Sequence, residues 1–302
     1  YALGSLITPA TLNYIIPEGY FKGQSVAFWL ARTPEGQALL GRNHFALGLQ
    51  INAATLNHII PSGRHEGQSV AYWLARYLQR LGLLVTLDSL ITSATLNHII
   101  PSGQHKGKSV AFWLAAPPGF DSPEQRTILE HNEFRLGSQI SSATLNHIIP
   151  CGQHKGKSVA FWLVSRAGDL AHGPGPALLE YKNFMLGSLI TPATLNHIIP
   201  DGYGPCAGHS VAIRLVSSAK GRLLLLHNNY ALGSQIKAVR LNDILNDDVW
   251  SYLRDPKLLH HLLQHMPTLR NEITARVPEN VARLRSISRA AMTCSALRSK
   301  HL

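Results

Sequence analysis

Cysteine is scarce: three thiols, Cys151, Cys206 and Cys294, stand among 302 residues. The first two fill positions that sister segments give to other residue types, so a disulfide-stapled scaffold is excluded and reduced thiols in a cytosolic setting are expected. Acids are also few, 17 Asp and Glu against 28 Lys and Arg, leaving a net charge of +11. That surplus is spread along the chain with no dense basic block. It favours acidic partners (nucleic acid, an anionic membrane surface or an acidic protein face) or simply a well-solvated surface. No apolar run approaches the ~18 residues that a membrane span needs, so no transmembrane segment is expected. No charged-then-apolar leader is readable. The opening Tyr1-Ala2-Leu3-Gly4-Ser5 matches Tyr230-Ala231-Leu232-Gly233-Ser234 further on, so the chain is expected to begin mid-repeat, with any targeting segment or further domain upstream.

What the chain does have is one pattern written several times. Thr95-Leu96-Asn97-His98-Ile99-Ile100-Pro101, a glycine-bearing tip, and Gly107-Lys108-Ser109-Val110-Ala111-Phe112-Trp113-Leu114-Ala115 form one copy. The pattern returns from Thr11, Thr55 and Thr144 and, altered, from Thr194, with a partial echo at Leu241-Asn242. In the first four copies the Asn of Leu-Asn precedes the Ser of Ser-Val by 12 residues, as from Asn97 to Ser109. The stretch after Ser-Val varies in length, so units run from 40 to 50 residues: a fixed frame with insertions on one face.

Each frame reads as helix, loop, helix. Thr8 caps a first helix with Pro9 in its first turn and Pro17 as its stop. Ser25 caps a second whose Val26, Trp29 and Leu30 fall at i, i+3 and i+4. Thr33-Pro34-Glu35 opens a third. In the second unit, Tyr77 to Leu84 predicts a shortened or fused helix. Pro117–Pro123 and Gly168–Pro176 should bulge as loops. Beyond Leu245 the pattern ends; residues 246–302 are expected to form a helical cap over the open end of the stack, with a basic last helix carrying Arg283, Arg285, Arg289, Arg298 and Lys300.

The recurring polar residues tempt towards chemistry. Asn13, Asn57, Asn97, Asn146 and Asn196 are expected to form a ladder satisfying backbone groups of their own loop or the adjacent unit, and the tryptophans to stack as core. His58, His98, His147 and His197 share one position, and His65, His105 and His154 another. Zinc wants about four ligands at one point, whereas repeat-aligned histidines form rows, so structural hydrogen bonding is the expectation and no metal is assigned. His261 and His265 lack the glutamate of a metalloprotease helix. Gly107-Lys108-Ser109 and Gly156-Lys157-Ser158 lack the earlier glycine and the strand of a phosphate loop; they are helix starts. No catalytic residue, cofactor or enzyme activity is assigned. The tips differ from unit to unit, and Tyr20, Phe21, Lys22, Arg64, His65, Gln104, His105, Lys106, Gln153, His154, Lys155 and Tyr203 are the expected partner-binding residues.

Gly-Lys-Ser-Val-Ala-Phe-Trp-Leu-Ala resembles the opening of an ankyrin repeat's first helix, and Pro34-Glu35-Gly36-Gln37-Ala38-Leu39-Leu40 its second. Together with Leu-Asn-x-Ile-Ile-Pro, the set is similar to the divergent, lengthened ankyrin-type repeats of type IV secretion effectors of intracellular bacteria, over residues 1–245. The resemblance implies an all-α solenoid of about five units with a C-terminal helical cap. It further implies a protein-interaction module delivered into a host cell, binding a host protein through its tips and concave face. The alternative is a nucleic-acid-binding helical repeat protein: Thr-Pro-x-x-Leu-x-x-Ile, a loop and Gly-Lys-Ser resemble modular DNA-reading repeats, and the basic charge agrees. Irregular unit length opposes it, since one base per unit needs a constant rise.

Overall fold

A computed structural model describes residues 6–77, 81–116, 123–165, 174–202 and 206–236. The partial sixth unit, the expected C-terminal cap and most of both insertions lie outside the described residues. Within them every regular element is helical.

Three helices build each unit. The first are short: Pro9–Asn13, Ala53–Asn57, Ser93–Asn97, Ser142–Asn146 and Pro192–Asn196. Each starts on a hydroxyl or amide cap, as where Thr8 Oγ1 accepts from Thr11 N at 3.2 Å. They end at the asparagine, four residues before the proline expected to stop them, because Tyr14 and its counterparts turn to extended backbone (ψ 118° at Tyr14). The second helices, Val26–Arg32, Val70–Arg76, Val110–Ala115, Val159–Ser165 and Val211–Ser217, each follow a serine cap. Ser109 Oγ accepts from Phe112 N at 3.0 Å and Ser158 Oγ from Phe161 N at 3.1 Å, so both Gly-Lys-Ser tripeptides are helix starts.

The third helices, Pro34–Leu40, Leu81–Leu87, Pro123–Phe134, Pro174–Phe184 and Ala219–Tyr230, pack on the second helix of their own unit. Of the two alternatives for the second unit, the structure has the short helix, Leu81–Leu87, and not the fused one, because Tyr77 is extended (φ −109°, ψ 109°) and ends the preceding helix. One expectation needs correction. Pro174 to Pro176 belong to a helix and not to a loop, since proline suits a first helical turn. Left-handed residues break the helical path at this point in units 1, 3 and 4: Asn43-His44-Phe45 (φ 46°, 53° and 64°) just past the third helix, Asn132-Glu133-Phe134, and Lys182-Asn183. Asparagine recurs there because its short side chain tolerates that region. The chain then enters a one-turn 3-10 helix such as Gly48–Gln50. Gly48 has to lack a side chain, since a Cβ would lie 2.7 Å from the Leu83 side chain of the next unit.

Second helices pack on second helices of the adjacent unit, and from unit 2 onward third on third, so the units stack in file. Between them Leu12, Leu56, Leu96, Leu145 and Leu195 are fully buried, as are Phe28, Tyr72, Phe112 and Phe161 nearly so. At about 25 cal/mol per Å² of apolar area, each such side chain contributes roughly 1.5–3 kcal/mol. The asparagines tie the units together. Asn97 Nδ2 donates to Ser93 O in its own helix and to Gln139 O in the next unit, each at 2.8 Å. Its Oδ1 accepts from Ser141 N at 2.8 Å, and its backbone carbonyl from Thr144 Oγ1 at 3.1 Å. Asn13, Asn57 and Asn146 repeat the same four bonds. The expected ladder is therefore present, and it runs between units. On the third-helix side, buried Asp88 pairs with His131 Nδ1 at 2.8 Å and its carbonyl accepts from Arg135, pinning unit 2 to unit 3.

Candidate interaction surface

The tips of units 1 to 4 are equal in length, and that of unit 5, two residues longer, closes by the same bonds. In unit 2, Ile60 N donates to Gln68 O and Gly67 N to Ile60 O, both at 2.9 Å, closing the loop with a reciprocal pair; units 1, 3, 4 and 5 close alike. A left-handed glycine turns each tip, Gly19, Gly63, Gly103, Gly152 and Gly202, at φ between +72° and +89°. On this shared closure the exposed side chains change. Tyr20 is 86% exposed and Phe21 47%, and Lys22, Arg64, Gln104, Lys106 and Gln153 are exposed as well, with Lys155 half-buried. Tyr203 lies outside the described residues.

The tip histidines are a correction. His65 and His105 are buried, at 7% and 6% exposure, and His154 is half-buried. Each ring enters the groove between its own unit and the one before. His65 meets Phe28 at 5.5 Å and Trp29 at 5.8 Å, His105 meets Tyr72 and Trp73, and His154 meets Phe112 and Trp113. Unit 1 puts Phe21 in this row, 6.2 Å from Trp29. That substitution is the sequence signal that the position wants a ring rather than a ligand. The other row is also packing and not hydrogen bonding at Nε2: in His58, His98 and His147 this atom is sealed without a partner. It lies where a Cβ on Gly23, Gly67 or Gly107 of the preceding unit would come within 3.2 Å.

Burial sets the charge of these rings. It lowers His58, His98 and His147 below 6.5. His105 falls to about 4 through burial first and then the charges of Arg76, Lys108 and Arg32. His154 also falls to about 4, by burial and then Lys108, Lys157 and Arg76. Neutral His105 accepts from Arg76 Nη1 through Nε2 at 3.2 Å.

A feature not anticipated from the sequence runs beside these rings. Arg32 lies over Trp29 at 5.0 Å and Trp73 at 5.9 Å. Arg76 lies over Trp73 at 4.9 Å and Trp113 at 5.5 Å. Lys108 stands 5.2 Å from the Trp113 ring and Lys157 5.0 Å from that of Trp162. In unit 5 Arg214 replaces the tryptophan, reaching the Sγ of Cys206 at 3.9 Å, while Cys206 holds the histidine position. Trp73 and Trp113 are buried beneath this layer, at 4% and 6% exposure, so the tryptophans are core as expected in the middle units and half-buried in units 1 and 4.

At the leading end, an open groove of about 390 Å³ is lined by Ala10, Thr11, Tyr14, Ile16 and Val26. Its counterparts Thr55, Ile60 and Val70 are buried under the preceding unit. Among the described residues no group of three or more His, Cys, Asp or Glu side chains converges on a point, and no helix is long and apolar enough to cross a membrane.

Among the described residues, fold and surface together define a helical array of repeats whose units are joined by an asparagine ladder and whose tips vary on a shared loop closure. No family model, no curated protein and no solved structure matches the chain.

Proposed function

We propose that the chain is an ankyrin-type solenoid that binds a protein partner through its tips and the adjoining second-helix face. The observation that carries this reading is the pairing of a shared tip closure with changing exposed side chains. At the tips the exposed side chains change from unit to unit, Tyr20, Arg64, Gln104 and Gln153 among them, while the bonds that close each loop stay the same. The ankyrin-type assignment is supported by the finger-like tip, closed by its reciprocal bond pair, and by paired helices stacking in file. That the partner is a host protein met by a secreted effector rests on the motif resemblance alone. No catalytic role is proposed within this chain.

The test is capture from host cytosol by the wild-type chain and by a variant carrying Tyr20→Ala, Arg64→Ala, Gln104→Ala, Lys106→Ala and Gln153→Ala. All five side chains are exposed, so the fold is expected to survive. Loss of bound partners in the variant supports the reading, and retention of every partner overturns it. The second reading, nucleic-acid binding, is favoured by the net charge of +11. It requires a salt-dependent shift of random-sequence DNA at low ionic strength; under the protein-binding reading no such shift is expected.

A further inference from the structure

The cations on the tryptophan row keep their number while changing their origin. Units 1 and 2 place glutamine before the capping serine, Gln24 and Gln68, and arginine at the end of the second helix, Arg32 and Arg76. Units 3 and 4 reverse this, with Lys108 and Lys157 before the serine and Ala116 and Ser165 where the arginines stood. Unit 5 has neither, and supplies Arg214 from the tryptophan position instead. Four units thus contribute one cation each to the tryptophan row from two different backbone positions, and unit 5 sets a fifth, Arg214, at the tryptophan position itself, beside Cys206. Packing alone does not ask for this, since Gln and Lys, or Arg and Ala, fill space differently; a charge at that place does.

None of the five has a carboxylate within ion-pairing distance among the described residues. Lys108 and Lys157 are more than nine-tenths buried, at 8% and 6% exposure, and their ammonium groups touch indole faces but no acceptor. Arg214 Nε is sealed without a hydrogen-bond partner. Indole faces stabilise such cations by about 0.5–2 kcal/mol each, yet among the in-plane arginine donors of the row only Arg76 Nη1, to His105, and Arg214 Nη2, to Cys206 Sγ, meet a protein acceptor. Like charges in one row repel, and an anion lying among them removes that repulsion.

We propose that this row is the seat of an extended acidic segment of a partner polypeptide, its Asp and Glu carboxylates meeting Arg32, Arg76, Lys108, Lys157 and Arg214 in succession. The assignment deepens the protein-binding reading and rests on it. A peptide is favoured over a nucleic acid on two grounds. Bases bind single-strand sites by stacking on open aromatic faces, and Trp73 and Trp113 are covered. A single file of cations, one per unit, also matches one chain of carboxylates, which take arginine in bidentate fashion.

The test uses the whole chain and a fluorescein-labelled 20-residue poly-glutamate peptide, followed by anisotropy and by tryptophan emission, with a single-stranded oligonucleotide of equal length as the competing probe. Removing two central charges, Arg76→Gln with Lys108→Gln, is expected to weaken peptide binding at least tenfold. Removing two charges on the third-helix side, Arg42→Gln with Lys182→Asn, is expected to change it less than threefold. The charge-keeping pair Arg76→Lys with Lys108→Arg is expected to restore most of the affinity, and it reports on the row even if the first pair fails to fold. Three results would overturn the proposal: no peptide binding by the wild type at low salt, equal losses from both charge-removing pairs, or a tenfold preference for the oligonucleotide. Cytosolic capture with the Arg76/Lys108 variant separates the two readings. Partners that survive this variant while depending on the tips uphold protein binding and sink the acidic-segment assignment. If no protein is captured at all, the interaction reading fails, and the peptide titration still decides the row.

Discussion

At the scale of single residues, the asparagine is the side chain on which the stack depends most. Asn97→Ala removes two bonds from Nδ2 and one to Oδ1, leaving Ser141 N and Gln139 O at the unit boundary without their partners. At about 1 kcal/mol net per bond, the expected loss is roughly 2–3 kcal/mol, measured by urea unfolding. The histidines give a pH dependence of definite sign. His105 and His154 are held down to about 4 in the fold and return to 6.5 when it opens. The unfolded chain therefore binds more protons between those values, and stability rises with pH across that window. The contribution is complete above pH 6.5 and declines as pH falls towards 4. Replacing both rings as unit 1 does, with His105→Phe and His154→Phe, should flatten the fall in melting temperature between pH 6.5 and pH 5; an unchanged slope would count against the assignment. The asparagine ladder was legible in the sequence because five identical amides in a buried pattern demand partners. The histidine burial was not, because a histidine two residues from a tip glycine looks exposed until the neighbouring unit is in place.

At the scale of the element, the tip loop combines two constraints in one glycine. Gly107 adopts φ +81°, and a Cβ there would stand 2.6 Å from Pro150 Cδ of the next unit. Gly107→Ala therefore meets both left-handed strain of about 1–2 kcal/mol and overpacking of about 1–3 kcal/mol. A drop in melting temperature of several degrees is expected, whereas Gly103→Ala, with the same hand of φ but open space around it, should lose less. Ser109→Ala removes the cap on Phe112 N and should cost about 1 kcal/mol. Helix starts were readable from Thr, Ser and Pro, since caps are local chemistry. Helix ends were read worse. The first helix stops at Asn13 and not near Pro17 because the asparagine turns its amide to the following unit, a tertiary demand that no local pattern announces. The cation row escaped for a related reason: its members come from three backbone positions, and a column-by-column comparison of units splits them.

For the whole molecule, neighbour-only contacts mean that position in the file sets the effect of a change. Asn13→Ala cuts the bonds between units 1 and 2, whereas Asn97→Ala cuts those between units 3 and 4. Amide exchange should show the first as accelerated opening confined to the region before Leu56. The second should accelerate exchange on both sides of Gln139, and uniform protection loss in both variants would contradict a file of semi-independent units.

The asparagine ladder also has a direction. Each amide serves groups of the unit that follows it, from Asn13 to Asn52 and from Asn146 to Thr191. Since a chain is made from its N-terminal side, each unit is synthesised after the one whose asparagine serves it, and the order of synthesis matches the order in which these bonds can close.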